Sequence, residues 1–193
     1  MIDRREILTR AAMLMGGAIS SGAVAAVLGG CTAMPQPDGP VKTTFLNPAE
    51  MKTATAIADQ IIPRTDTPGA IDVGVPAYMD KCLAGFYQDK ERGIVRAGLM
   101  RADKDAMTAH GKTFSDLSSD DQVALMKVYD KEAYEQNRKP GAAPHFFRVL
   151  KELTLTGFCT SQVGATKFLK YAASPGPFRG DIPYSEVGKA WAT

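Results

Sequence analysis

The sequence predicts an all-α fold: a single compact helical domain of about five or six helices, preceded by a signal segment and closed by an irregular Pro/Gly-rich C-terminal arm. Three observations predict it. Apolar residues recur at helical spacing in successive stretches, no segment alternates apolar and polar residues for long, and the breaks between stretches carry proline and glycine. The 193 residues include 23 Lys+Arg against 21 Asp+Glu and are 45% hydrophobic, the composition of one ordinary globular domain.

Residues 1–30 read as a twin-arginine signal and stand apart from the fold. Arg4 and Arg5 open a basic start with Arg10, and Ala11 to Gly30 carries no charge, with six Ala, five Gly and two Ser. That stretch is long enough to span a bilayer but weakly apolar, so an uncleaved membrane helix stays open as the other reading. It ends in LGGC, Leu28 to Cys31, which resembles the lipobox of bacterial lipoproteins; lipidation of Cys31 and ordinary cleavage nearby both fit. Residues 31–46 carry three prolines and no helical period, which marks a tether.

The domain then runs over 47–193. Asn47-Pro48-Ala49-Glu50 has the pattern of a helix start, with Asn as N-cap and Glu able to reach back to the cap. Ala54, Ile57, Ala58 and Ile61 line one face, and Pro63 stops the helix at Ile62. Pro63 to Pro76 is a fourteen-residue loop with three prolines, long enough to be functional or disordered. Helical spacing resumes at Met79, Cys82, Leu83 and Phe86, and again at Val95, Leu99, Ala102 and Ala106. Ser119 with Gln122 reads as a capping box before Val123, Met126 and Tyr129. After the breaker KPGAAP the period is clearest, at Phe146, Val149, Leu150, Leu153 and Gly157. A further helix is expected from Ser161 to Ala172, with Val163, Phe168 and Tyr171 apolar. The tail from Ser174 should be an arm lying on the helices and burying Phe178, Tyr184 and Trp191.

Chemistry-bearing motifs are sparse. No GxGxxG, CxxCH or GxSxG occurs, and His110 and His145 are too few and isolated for a zinc site. The residues therefore give no catalytic, cofactor or metal set in this chain. His145 is expected to cap or face solvent. Past the signal the charge is balanced, 20 basic to 19 acidic residues, which argues against nucleic acid. Arg64, Asp66 and Asp72 in the long loop could bind a small polar ligand or a metal; the plainer reading has the aspartates capping turns and Arg64 pairing with one of them. Cys82 and Cys159 both sit beside apolar residues. An oxidising compartment permits a disulfide between them, and two buried free thiols are the alternative.

Three blocks carry a resemblance: ADQIIPRTDTPGAIDVGVPAYMD from Ala58 to Asp80, FFRVLKELTLTGFCTSQVGATKFLKY from Phe146 to Tyr171, and PGPFRGDIPYSEVGKAW from Pro175 to Trp191. Together they resemble the small subunit of the gluconate 2-dehydrogenase type, the subunit 3 family. The resemblance implies a non-catalytic accessory subunit of a periplasmic, membrane-associated sugar or sugar-acid dehydrogenase. A separate large subunit would hold FAD, and a cytochrome c subunit with haem would take the electrons. The small subunit would lend its signal to the flavoprotein, so that the twin-arginine translocase exports both folded. The competing expectation is a free periplasmic or lipid-anchored binding module that uses the 64–72 loop.

Overall fold

The structure, a computed structural model, describes residues 44–192 apart from Pro175 and Phe178; the expectations placed on Arg4, Arg5, Cys31 and residues 31–43 lie outside the described residues. Helix α1 (Pro48–Ile61) begins as its sequence dictates. The Asn47 side chain accepts from the backbone N–H of Ala49 and Glu50, and Glu50 reaches back to the N–H of Asn47 at 2.9 Å. Each end of that reciprocal pair satisfies a donor that the first turn cannot satisfy itself. Helix α2 (Val75–Gly85) follows the loop, and α3 (Asp89–His110) ends where Gly111 turns left-handed at φ 69°. A short 3-10 turn (Phe114–Asp116) leads to α4 (Ser119–Asn137), and α5 (Phe146–Cys159) completes the helical body.

Helix α5 is the hub, packed against α1, α2, α3 and α4. Its sequence explains this position. Phe146, Phe147, Val149, Leu150, Leu153, Gly157 and Phe158 are all buried, a stripe wide enough to meet neighbours on several sides. Against it lie Ala54, Ile57 and Ala58 of α1, Met79 and Leu83 of α2, Val95, Leu99, Ala102 and Ala106 of α3, and Met126 and Tyr129 of α4. Burying each large side chain of this set contributes about 1.5–3 kcal/mol. Small residues let the long helix α3 come close: a Cβ built on Gly98 would stand 2.0 Å from Cγ of Phe146.

Four details differ from the expectations. The α4 cap is Ser118, whose hydroxyl accepts from the N–H of Asp121; Gln122 is instead buried and donates to the carbonyl of Phe114 at 2.9 Å. Phe86 lies past the end of α2 and is 85% exposed, because the helix stops before its face returns to the core. No α-helix runs from 161 to 172. The Ser161 hydroxyl donates to the carbonyl of Phe158 and accepts from the N–H of Gly164, and the chain widens into a π-helical turn (Gly164–Phe168) closed by Leu169 N–H on Gly164 O.

The fourth difference is the arm. Beyond the π-turn it folds onto itself, not onto the helices. Strand β1 (Lys170–Tyr171) pairs in parallel with β2 (Trp191–Ala192), and a single short helix α6 (Tyr184–Val187) lies between them. Its described aromatic residues therefore remain in contact with solvent.

Candidate functional site

The 64–72 loop brings its charged residues together. Arg64 donates through Nε and Nη2 to the two carboxylate oxygens of Asp72, with Nε to Oδ2 at 2.8 Å, and Asp72 also accepts the N–H of Gly69. The hydrogen bonds to Arg64 and Gly69 hold the Asp72 carboxyl below its usual range. Asp66 accepts from the Thr65 hydroxyl, and Ala70 N–H returns to the carbonyl of Ile62. Only glycine fits at position 69, where a Cβ would stand 2.6 Å from the Arg64 nitrogen. The result is the geometry of a capped, closed turn, with Arg64 pointing into solvent and Asp66 exposed beside it.

Where the tether joins the domain, the structure adds a seat that the sequence reading did not contain. Asp80 on α2 is buried, and its carboxylate accepts the backbone N–H groups of Thr44, Phe45 and Leu46, the last at 2.7 Å. Burial pushes this carboxyl up, and the three N–H donors outweigh it and hold it below its ordinary range. Arg96 of α3 donates to Glu50 at 2.8 Å and to the Phe45 carbonyl at 3.0 Å, and stacks over the Phe45 ring at 4.4 Å. Two helices thus grip residues 44–46, with Glu50 of α1 steadying Arg96. A signal existed: Asp80 falls beside Met79 and one turn before Leu83, on the apolar face of α2.

A second polar group joins α3, α4 and α5. Arg101 forms a two-pronged pair with Glu132, at 2.6 and 2.9 Å, and lies 3.3 Å from Asp105. Asp105 accepts from the Tyr129 hydroxyl, and Arg101 stacks over the Tyr129 ring. His145 is the N-cap of α5: Nδ1 accepts the N–H of Phe147, while Nε2 faces Glu132 at 3.4 Å. It caps as expected, but it is buried, not solvent-facing. Burial pushes His145 below the usual imidazole range against the pull of Glu132, and Arg101 holds Glu132 ionised. Arg101 and His145 border an open groove of about 330 Å³ lined also by Gly98, Gln136 and Phe146. With Nδ1 engaged on the backbone and Arg101 on two carboxylates, the cluster is a lock between helices; it offers no unengaged imidazole nitrogen as a base.

Cys82 and Cys159 are free thiols in this structure, each half-buried, so the bridge between α2 and α5 is not formed here. The neighbouring Cys82 thiol, then burial, raises the Tyr78 hydroxyl above its ordinary range. Among the described residues no three His, Cys, Asp or Glu side chains are grouped to hold a metal, and no helix is long and apolar enough to cross a membrane.

Among the described residues the arm carries four exposed aromatic side chains. Tyr184 is 75% exposed, Tyr171 52%, Phe168 51% and Trp191 44%. Phe168 stands edge-on to Phe158 with ring centres 5.5 Å apart, and Lys170 lies over the Trp191 ring at 4.5 Å.

A family model described as Gluconate 2-dehydrogenase subunit 3 matches residues 48–176, from the first turn of α1 into the arm. No curated protein and no solved structure matches the chain.

Proposed function

The chain belongs to the gluconate 2-dehydrogenase subunit 3 family, and on that premise we propose that it is the non-catalytic small subunit of an FAD-dependent sugar or sugar-acid dehydrogenase at the periplasmic face of the membrane. In this reading it stabilises the flavoprotein subunit and escorts it through twin-arginine export. The family match carries the proposal. Two features of the structure support it. The charged groups of the helical body bond to one another, as Arg64 does to Asp72 and Arg101 to Glu132, which suits a scaffold better than a reaction centre. The arm meanwhile presents aromatic side chains that a partner would cover.

Export of a folded pair explains the pairing of this signal with this domain. A flavoprotein must bind FAD in the cytoplasm, and a twin-arginine signal moves proteins already folded. Arg4 and Arg5 on the small subunit would serve both chains, and a cytochrome c subunit would receive the electrons outside. Cys31, if acylated, or the complex itself would hold the assembly at the membrane.

The test replaces Arg4 and Arg5 by Lys, which keeps the positive charge and removes the guanidinium pair. The expected result is loss of dye-linked sugar dehydrogenase activity from the periplasmic face, with flavoprotein left in the cytoplasm. Flavoprotein reaching the periplasm in normal amount would refute the escort role.

A further inference from the structure

We propose that the C-terminal arm, residues 164–192, is the docking surface for the large subunit, and that it binds an acidic, apolar-centred patch on that protein; this rests on the small-subunit reading above. The first observation is where the exposed aromatic residues lie. Of the six exposed aromatic residues among those described, Phe168, Tyr171, Tyr184 and Trp191 fall within 24 residues of the arm, and Phe86 and Tyr134 stand apart on the helical body. Tyrosine and tryptophan are the residues most often found to anchor protein interfaces, because each covers a large area at little cost in side-chain entropy.

Charge is the second observation. Residues 164–192 carry four basic side chains, Lys167, Lys170, Arg179 and Lys189, against Asp181 and Glu186, while residues 44–163 carry 15 basic and 16 acidic ones. Arg179 is paired with Glu186 at 2.9 Å. The three lysines have no carboxylate in ion-pair range among the described residues. Lys170 donates instead to the neutral carbonyls of Glu186 and Val187 and stacks on Trp191, and Lys189 donates to the carbonyl of Lys167 at 2.9 Å. These contacts hold the Lys170 ammonium over the Trp191 ring and tie Lys189 to the backbone, and they leave the positive charge without a carboxylate. Carboxylates on the partner, placed around an apolar centre, complete such a surface.

A third observation concerns how the arm is held. The arm is tied to itself by β1, β2 and the lysine-to-carbonyl bonds, and it meets the helical body mainly through the π-turn against α5. A parallel pair of two residues is marginal on its own. Lys170 and Ala172 direct their N–H groups to β2, so the N–H and C=O of Tyr171 face the open edge of the pair, where a partner's backbone can bond. A lipid surface is the other class that Lys and aromatic residues can meet. Three of the four rings are only about half exposed, which favours a protein patch over insertion into lipid.

The experiment uses the full chain, tagged and expressed in its native cell, with mild purification and flavin absorbance measured per small subunit. Three variants are compared with the unaltered chain: Trp191→Ala with Tyr184→Ala, Lys167→Glu with Lys170→Glu and Lys189→Glu, and, as a control on the exposed face of α3, Met100→Ala with Met107→Ala. The expected result is at least a tenfold loss of flavin in both arm variants and no loss in the control. Unchanged circular dichroism of the purified variants separates loss of docking from loss of fold. Raised salt should weaken the unaltered complex and leave the charge-reversed variant little affected. Normal flavin with both arm variants overturns the arm as the docking surface and leaves the small-subunit reading standing. Absence of flavin from the unaltered chain overturns that reading and this inference together. Binding of the unaltered chain to anionic phosphatidylglycerol vesicles, lost in the arm variants while flavin is retained, assigns the arm to the membrane and also overturns it.

Discussion

Gly93 and Gly98 lie on the same helix, and substituting alanine at each should move stability in opposite directions. At Gly93 a Cβ meets nothing within 4 Å, so alanine gains only the propensity difference and stabilises by up to about 1 kcal/mol. At Gly98 the new carbon would stand 2.0 Å from Cγ of Phe146 and 2.3 Å from its Cβ, well inside the roughly 3.5–4.0 Å at which carbons rest. Because the Cβ of Phe146 is fixed to the backbone, no rotamer of that residue removes the overlap; α3 and the start of α5 must separate. Overpacking costs about 1–3 kcal/mol, occasionally more, and the propensity gain offsets about 1 of it. With the clash reaching a backbone-fixed atom, the upper end applies, and the net loss should be about 2 kcal/mol, or about 4–8 °C in Tm. Urea denaturation of the full chain, followed by far-UV circular dichroism, should show a lower midpoint at unchanged slope. Adding Phe146→Ala removes two of the three nearest atoms, so the double variant should lose less than the sum of the single losses by about 1 kcal/mol or more. A Gly98→Ala protein as stable as the parent would refute the close crossing of α3 and α5.

Asp80→Ala should cost about 1–3 kcal/mol by orphaning the buried N–H of Leu46, and hydrogen exchange should speed up at residues 44–46 before anywhere else in the domain. Because its folded pKa is depressed, Asp80 stabilises the parent at pH values above the ordinary carboxyl range and that stabilisation is lost as pH falls through the folded pKa, so Asp80→Asn should flatten the acid limb of a stability–pH curve. His145 is likewise depressed: the unfolded chain binds its proton first, stability should decline as pH drops below about 6.5, and His145→Asn, which keeps a capping acceptor, should remove that decline. For the cysteines, thiol labelling of the unfolded, unreduced protein should find both Cys82 and Cys159 reactive if they stay free as in this structure; two unreactive sulfurs would show that they pair, and closing so long a loop can add about 4 kcal/mol.

The helices were readable where the pattern is local. Asn47 to Glu50 carries its own capping chemistry within four residues, and the α5 stripe is apolar enough to announce its central place. The α4 cap shifted by one residue because Ser118 and Ser119 present the same side chain, and only the burial of Gln122 against Phe114 decides between them. For the seat at residues 44–46 the sequence offers one clue, a carboxylate at Asp80 on the apolar face of α2; its partners lie about 35 and 51 positions earlier for Asp80 and Arg96, and backbone N–H groups leave no mark in sequence. The arm misled for a different reason. Aromatic residues signal burial, but the sequence of one chain does not say whether the burying surface is its own or another protein's. The sequence leaves open which of Asp66 and Asp72 pairs with Arg64, and the turn at Gly69 decides for Asp72.

The central claim is that this chain works bound to a flavoprotein. It is tested most directly by isolating the tagged full chain from its native cell under mild conditions and measuring bound flavin per copy. The account predicts close to one FAD for each small subunit, carried on a separate, larger polypeptide with dye-linked dehydrogenase activity toward a sugar or sugar acid. A chain that purifies alone, soluble and without flavin, would contradict it.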